Sequence, residues 1–578
     1  MPEPLEPPSL ELAVGEGPPP GWLGAVHPLP AADRVWSGRR QLLARAVGSG
    51  VGGLLLTLSF PPYDLVWLAP PALAVMTLSW HGVGARRGFW LGYLSGLVFL
   101  SWHLAWMRVI GDDAWLLLAA TFALFVGLVG AGVAATSRLR VWPLAVPLLW
   151  VLSEAIRGRV PLGGFPWGDL AFGQTSTALT PYAALAGAPG VTFAIALVGS
   201  LLAFAWSARR RPRAAVASLV GVALVCTLGG LVPRSVDGEQ GASGEPAYVV
   251  AAVVQGDVPA AGLDAFGERA AVLTNHVRET VRLAADVAAG VTSQPDLVIW
   301  PENSTDIDPL VDDWARGQIQ QATDAIGVPV LVGAVVTTPT DPTHIWNTGI
   351  VWLPTATGDP GPSDYYVKQH PVPFGEWIPA RELLSRLISR FDRVPRDFAA
   401  GPSTGVMQLG PARLGDLICF EVAYNDLGRA AVRGDGVDGA LAGQGARILS
   451  VQTNNATYSG TGQPEQQMAM SRLRAVEHGR SVLVAATSGI SSIVRPDGSV
   501  VAAIPEHVPG YLVEQVPLRD TLTVADRVGA APELLAGALA VILLVVAAAR
   551  QRRGGGFGRR GRGAVGSADR PSAEEVAP

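Results

Sequence analysis

Apolar residues run with little charge through positions 46–63, 65–85, 88–107, 114–137 and 141–156, and again through 188–208 and 214–233. A helix rising about 1.5 Å per residue needs roughly 20 such residues to cross the roughly 30 Å hydrocarbon layer of a bilayer. Seven membrane-spanning helices are therefore predicted before residue 234, the fifth carrying Glu154 near its end. An eighth run, 534–549, holds only 16 uncharged residues and closes the pattern.

Between the seventh and eighth runs the period changes. Short apolar stretches at 247–256, 296–300, 329–336, 346–353, 414–419, 447–453, 481–487 and 491–495 read as strands. Residues 263–288 set Phe266, Ala270, Leu273, Val277, Val281 and Ala284 on one helical face, and a second helix is predicted at 463–479. The glycine-rich stretch 428–446 reads as a loop or insertion. Strands alternating with helices predict a layered α/β domain over 234–530.

Composition supports this division. The chain is 49% hydrophobic and 16% charged, too apolar for an ordinary soluble surface. With 43 Lys+Arg against 48 Asp+Glu it is slightly acidic, which argues against nucleic acid as a partner. Two cysteines, Cys226 and Cys419, exclude a disulfide framework, and eight His without an HExxH motif give no reason to expect a metal or other cofactor.

The arginines orient the spans. Arg34, Arg39, Arg40 and Arg45 precede the first; Arg86 and Arg87 follow the second; Arg138 and Arg140 follow the fourth; Arg209, Arg210, Arg211 and Arg213 follow the sixth; and Arg550, Arg552 and Arg553 follow the eighth. Basic residues collect on the cytoplasmic side of span ends. Both termini are thus expected inside the cytoplasmic membrane and 234–530 outside it. Residues 1–40 and 551–578 read as disordered cytoplasmic tails.

Candidate chemistry lies where predicted strands end: Glu302 after DLVIWP, Lys368 in DYYVKQHPVPFGEWIP and Cys419 closing LGDLIC. Each also has a plain structural reading, as a solvated charge or a small core thiol. Cys226, inside an apolar span with no acid or base nearby, reads as packing. Lys368 is the chain's single lysine among 43 basic residues. Lysine is a compact point charge where arginine is a broad planar fork, so its survival here suggests a place that arginine cannot fill.

Together with VVQGDVP at 253–259, WPEN at 300–303, VKQHPVPFGEWIP at 367–379, ICFE at 418–421 and QQMAMSRLRAVEHGRSVLVAATSGIS at 466–491, these residues resemble the nitrilase, or carbon-nitrogen hydrolase, superfamily. The eight runs around the domain and the PFGE after the lysine resemble, more narrowly, its membrane-bound branch, the apolipoprotein N-acyltransferase family. The resemblance covers roughly 41–550. It implies a polytopic α-helical membrane domain with about eight spans (41–233 and 531–550) and an extracytoplasmic αββα sandwich. It also implies that Cys419 is the nucleophile, Glu302 the general base and Lys368 the oxyanion stabiliser, with Glu376, Phe420 and Glu421 in supporting or substrate-binding places. Where many relatives have an Asp-Ala-Trp-Phe run this chain has TNNATY at 453–458, and no Trp follows VVQGDVP within ten residues.

The implied reaction moves an acyl chain from a membrane phospholipid, through a cysteine thioester, to the N-terminal amine of a diacylglyceryl-cysteine on an apolipoprotein. No cofactor is implied, and a monomer is expected. The linker 157–187, with Phe165, Trp167 and Phe172, is suited to an interfacial wall beside such a site or to simple aromatic anchoring. Two alternatives stay open: a membrane-tethered nitrilase or amidase that hydrolyses a small amide, and a catalytically silent scaffold that binds lipoproteins.

Overall fold

The computed structural model describes residues 38–241, 244–258, 269–305, 307–339, 341–387 and 395–560. Seven helices precede the α/β domain: α1 Gly38–Leu58, α2 Ala69–Trp80, α3 Ala85–His103, α4 Asp112–Thr136, α5 Trp142–Arg157, α6 Ala183–Ser207 and α7 Pro212–Gly230. Each overlaps one of the predicted spans, with ends that differ by several residues. Among the described residues, five helical stretches are by themselves long and apolar enough to cross a membrane: Gly38–Leu58, Asp112–Thr136, Thr180–Ser207, Pro212–Gly230 and Ala531–Arg552. The predicted run 65–85 differs most. Only 12 of its residues form α2, about 18 Å of helix, because the run begins in a 3-10 turn at Val66–Leu68 and ends at the extended His81.

The α/β domain follows as β1 Tyr248–Gln255, α8 Arg269–Ala288, β2 Leu297–Ile299, α9 Asp313–Ile326, β3 Val330–Thr337, β4 Ile345–Leu353, β5 Gly361–Val367, α10 Arg381–Leu387, β6 Val406–Leu409, β7 Ala412–Ile418, α11 Leu427–Arg433, β8 Ile448–Thr453, α12 Gln463–His478, β9 Val482–Ala486, β10 Ser491–Val494, β11 Val500–Ile504, β12 Gly510–Pro517 and α13 Val524–Val528. The last helix, α14, spans Ala531–Arg560. Two six-stranded sheets result, ordered β12-β1-β2-β3-β4-β5 and β11-β10-β9-β8-β7-β6. Within them β1-β2-β3 and β7-β8-β9 run parallel, and the flanking strands run antiparallel.

Alternation along each strand assigns the layers. Val249, Ala251 and Val253 of β1 meet Leu414 and Ile418 of β7 and Leu483 of β9 between the sheets. Ala252 and Val254 point the other way and pack with Leu273 and Val277 of α8. Leu417, Leu449 and Val451 face α12 through Met470, Leu473 and Val476. This is the expected αββα sandwich. Strands β5, β6, β11 and β12 lay outside the prediction: β5, β6 and β12 mix polar residues into their sequences, and β11, VVAAI, is apolar but short and partly exposed. Part of 428–446 is helical in α11, and the predicted start of the 263–288 helix, with Phe266, lies outside the described residues.

The sandwich is fused to the helices that precede it. The apolar cluster beneath α12 continues without a break into Leu56, Phe60, Phe99, Trp106, Trp167 and Phe172. Gln466 of α12 fastens this junction: its Oε1 accepts from Trp106 Nε1 at 3.2 Å and Trp167 Nε1 at 2.7 Å, and its Nε2 donates to the His103 carbonyl at 3.0 Å. Arg474 donates to the Val422 and Ala423 carbonyls and lies over the Phe172 ring. Glu154, out of place in an apolar run, accepts from Leu170 N and Thr192 Oγ1, while Arg157 pairs with Asp169. The 165–173 segment is thereby tied to α5 and α6. Gly187, at φ +68° in the bend of α6, is demanded by its surroundings, since a Cβ there would sit 2.7 Å from Glu477 Oε1.

Behind the strand ends, Asp416 lies between the sheets. Its Oδ1 accepts from Ser450 at 2.6 Å, and its Oδ2 faces the Cα of Gly349 alongside Gln452 Oε1. Gln452 Nε2 donates to the Trp300 carbonyl at 2.6 Å. Burial pushes the Asp416 carboxyl from 3.8 up to about 8. A carboxyl whose folded value is raised favours folding most below its ordinary range and loses that contribution as pH rises toward the folded value. Asp416→Asn is therefore expected to gain thermal stability over the unsubstituted protein at pH 8 to 9 and little near pH 4, read as unfolding midpoints across that range.

Candidate active site

Glu302, Lys368 and Cys419 each follow the carboxyl end of a strand. Trp300-Pro301-Glu302 follows β2, and Asn303 at φ +53° turns the chain so that Glu302 is buried. Lys368 follows β5 and is likewise buried. Its Nζ lies 3.2 Å from Glu302 Oε1 and 2.9 Å from Glu376 Oε1. Asn347 Nδ2, on β4, bridges the same two carboxylates at 2.7 Å and 2.9 Å. The Asn454 backbone N–H donates to Glu302 Oε2 at 2.8 Å. The Glu302 side chain is enclosed, and its two oxygens accept three hydrogen bonds.

The loop carrying Glu376 is closed on itself. Glu376 Oε2 accepts from Val372 N at 2.6 Å, and Phe374 N donates to the Trp377 carbonyl at 2.7 Å. Burial works against the charge of Lys368, but Glu302 and Glu376 outweigh it and hold the ammonium protonated well beyond the ordinary lysine range. This explains the single lysine more sharply than composition could. A buried place between two carboxylates suits a point charge better than a broad planar fork.

Cys419 ends β7 and opens a short 3-10 turn, Cys419–Ala423, at φ +57°. A non-glycine residue held in this left-handed conformation carries strain of about 1–3 kcal/mol and marks an imposed geometry. The Thr453 hydroxyl lies 3.4 Å from its sulfur. Burial and the neighbouring Glu302 charge push the thiol from 9.0 up to about 12, with Lys368 opposing. Near neutral pH the sulfur keeps its proton until a base removes it.

Glu421 supports the site from below. It accepts from Tyr366 OH, Gln369 N, His370 N and Ile418 N at 2.7–3.1 Å. It therefore joins the residues after Lys368 to the strand end before Cys419. Phe420 carries the site to the membrane helices: its ring stacks on Trp167 at 5.8 Å and on Phe165 at 5.6 Å. Of the expected positions, Glu302, Lys368 and Glu376 form one ion-paired cluster whose charges act on Cys419, while Glu421 and Phe420 flank the nucleophile's turn. The sequence reading missed Asn347, Thr453, Asn454 and Gln467. Asn347 has no local signal, whereas Thr453 and Asn454 stood inside TNNATY and registered only as a departure from relatives. Among the described residues no group of three or more His, Cys, Asp or Glu could hold a metal ion.

A Glu-Lys-Cys constellation at the strand ends of an αββα sandwich, with Glu302 and Lys368 buried and Cys419 partly exposed, attached to a helical membrane-type domain, defines a member of the carbon-nitrogen hydrolase superfamily. Residues 250–525 match the carbon-nitrogen hydrolase family, and residues 52–201 match the apolipoprotein N-acyltransferase N-terminal domain. The apolipoprotein N-acyltransferase of Mycolicibacterium smegmatis is 40% identical over 505 residues, covering 84% of this chain and 82% of that protein. The apolipoprotein N-acyltransferase of Chromobacterium violaceum is 29% identical over 519 residues, covering 87% and 94%. The chain belongs to the apolipoprotein N-acyltransferase family.

Proposed function

We propose that this chain carries an acyl group from a membrane phospholipid, through a thioester on Cys419, to the N-terminal amine of the diacylglyceryl-cysteine of an apolipoprotein. The observation that carries the reading is the position of Cys419. Its sulfur lies beside the Glu302–Lys368–Glu376 cluster, while the next residue, Phe420, stacks on two aromatic rings of the membrane domain. A lipid ester has to arrive from that side, and an amidase for soluble amides has no use for such a wall.

In the first half-reaction Glu302 takes the thiol proton as the sulfur attacks the ester carbonyl carbon. Lys368 Nζ and the Phe420 backbone N–H face the oxygen that becomes negative; one such donor lowers the barrier by roughly 3 kcal/mol. The C–O bond breaks, Glu302 returns the proton to the departing oxygen, and a lysophospholipid leaves. In the second half-reaction the lipoprotein amine attacks the thioester, Glu302 takes a proton from nitrogen, and the C–S bond breaks to release a thiolate, which takes that proton back from Glu302 to regenerate the thiol. Glu376 holds Lys368, Glu421 fixes the nucleophile's turn, and the aromatic wall keeps water from the thioester.

The eight helices at the predicted runs are the spans of this reading. Alternating arginine-rich loops favour both termini on the cytoplasmic side of the inner membrane, with 234–530 outside. Of the expected tails, 1–40 and 551–578, the ends nearest the membrane belong to helices, since α1 begins at Gly38 and α14 runs to Arg560. The enzyme is read as acting as a monomer. The test supplies the protein in phospholipid vesicles with a synthetic diacylglyceryl-cysteine peptide in one arm and small aliphatic amides in the other. Acylation of the peptide amine without amide turnover is expected. Amide hydrolysis with no peptide acylation would replace this reading with the hydrolase.

A further inference from the structure

The end of β8 holds a hydroxyl that the mechanism above does not use. Thr453 is buried, and its backbone is fixed between β7 and β9, opposite Ala486. Its Oγ1 lies 3.4 Å from Cys419 Sγ and 3.0 Å from Gln467 Oε1 on α12. A threonine hydroxyl has one proton to donate, so it serves either the sulfur or the glutamine. The β-branched side chain in a strand keeps Oγ1 in place, and rotation of the O–H bond alone moves the proton from one acceptor to the other. Gln467 Oε1 also accepts from Asn455 Nδ2 at 2.6 Å and keeps that donor when Thr453 turns away.

We propose that Thr453 is a further catalytic residue, a donor that points at Gln467 Oε1 while the Cys419 sulfur is a neutral thiol or thioester and turns onto the sulfur when it becomes a thiolate. No proton is transferred from Thr453. The thiol proton goes to Glu302, and the threonine O–H bond stays intact while its hydrogen bond stabilises the new negative charge. Because the sulfur bears that charge both when it attacks the lipid ester and when it leaves the thioester, the same hydroxyl assists both half-reactions. Lys368 acts on the sulfur through its charge: two of its three N–H groups are engaged with Glu302 and Glu376, and the third is the one left for the carbonyl oxygen. The proposal rests on the reading of Cys419 as the nucleophile.

The two neighbours of the hydroxyl give variants of opposite sign. Thr453→Val removes the donor at nearly constant volume; Gln467→Leu removes the competing acceptor and leaves the hydroxyl to the sulfur. The readout is the pH dependence of iodoacetamide alkylation at Cys419 in full-length protein, resolved from Cys226 by peptide mass mapping, together with the rate of acyl-enzyme formation from phospholipid. Thr453→Val is expected to move the alkylation midpoint upward by about one pH unit and to slow acylation about tenfold. Gln467→Leu is expected to move the midpoint downward, and Thr453→Ser to stay within about threefold of the unsubstituted rate. General loosening of the site would shift both variants in one direction. Shifts of the same sign, or Thr453→Val matching the unsubstituted protein in both readouts, would overturn the proposal. Failure of the underlying reading looks different: the unsubstituted protein would then form no acyl adduct at Cys419, whatever the alkylation profiles.

Discussion

Cys419→Ala is expected to lower acyl transfer to the lipopeptide by roughly 10⁴- to 10⁶-fold, the range that follows removal of a covalent nucleophile, while the protein keeps its fold. The two halves of this expectation have separate causes. The sulfur is the atom that carries the acyl group, and neither Glu302 nor Lys368 can replace it. The thiol is neutral at rest because burial and Glu302 push it up to about 12. Its deletion therefore leaves the Lys368, Glu302 and Glu376 charges paired as before. Alanine inherits the same left-handed backbone at position 419, so no strain is added or relieved. The unfolding midpoint should stay within a few degrees of the unsubstituted value, and a large fall would mean that Cys419 is chiefly a packing residue.

Lys368→Arg is expected to reduce the rate about 100-fold or more, although it preserves the charge. The ammonium occupies a closed space bounded by Glu302, Glu376 and the strand that bears Asn347. A guanidinium needs more room and binds carboxylates in a planar, two-pronged arrangement. It would either force the two glutamates apart or withdraw from the sulfur side, and overfilling a packed site has its own cost. In both cases the donor leaves the place where the carbonyl oxygen becomes negative, and losing one such donor costs about 10²- to 10³-fold. Single-turnover acylation rates measure this directly; a variant within threefold of the unsubstituted enzyme would refute the claim that the site selects lysine.

How much of this was legible in the sequence depended on whether the signal was local. The apolar runs predicted eight helices because burial in a bilayer or a helical core imposes a continuous pattern. The run at 65–85 overstated its helix, since hydropathy does not register the 3-10 turn at Val66–Leu68. Central strands such as β1, β3 and β8 were visible as buried runs, whereas the edge strands β5 and β11 are largely and partly exposed respectively and β6 is only four residues long, with Gln408 facing out. Glu302, Lys368 and Cys419 were legible from their places at strand ends and from family resemblance. Asn347 was not, because nothing within IWNTG indicates that β4 passes between two glutamates distant in sequence. Gln466 and Gln467 lay within a recognised segment, but their division of labour, one reaching the membrane tryptophans and the other the hydroxyl beside the nucleophile, exists only once α12 is packed against both.

The central claim is that Cys419 carries the acyl group. Intact-mass analysis of the protein after incubation with phospholipid and no acceptor tests it most directly. A mass gain of one acyl chain is predicted, removed by hydroxylamine, located at Cys419 by peptide mapping and absent in Cys419→Ser. An unacylated protein under single-turnover conditions, or an adduct that persists in Cys419→Ser, would contradict the account.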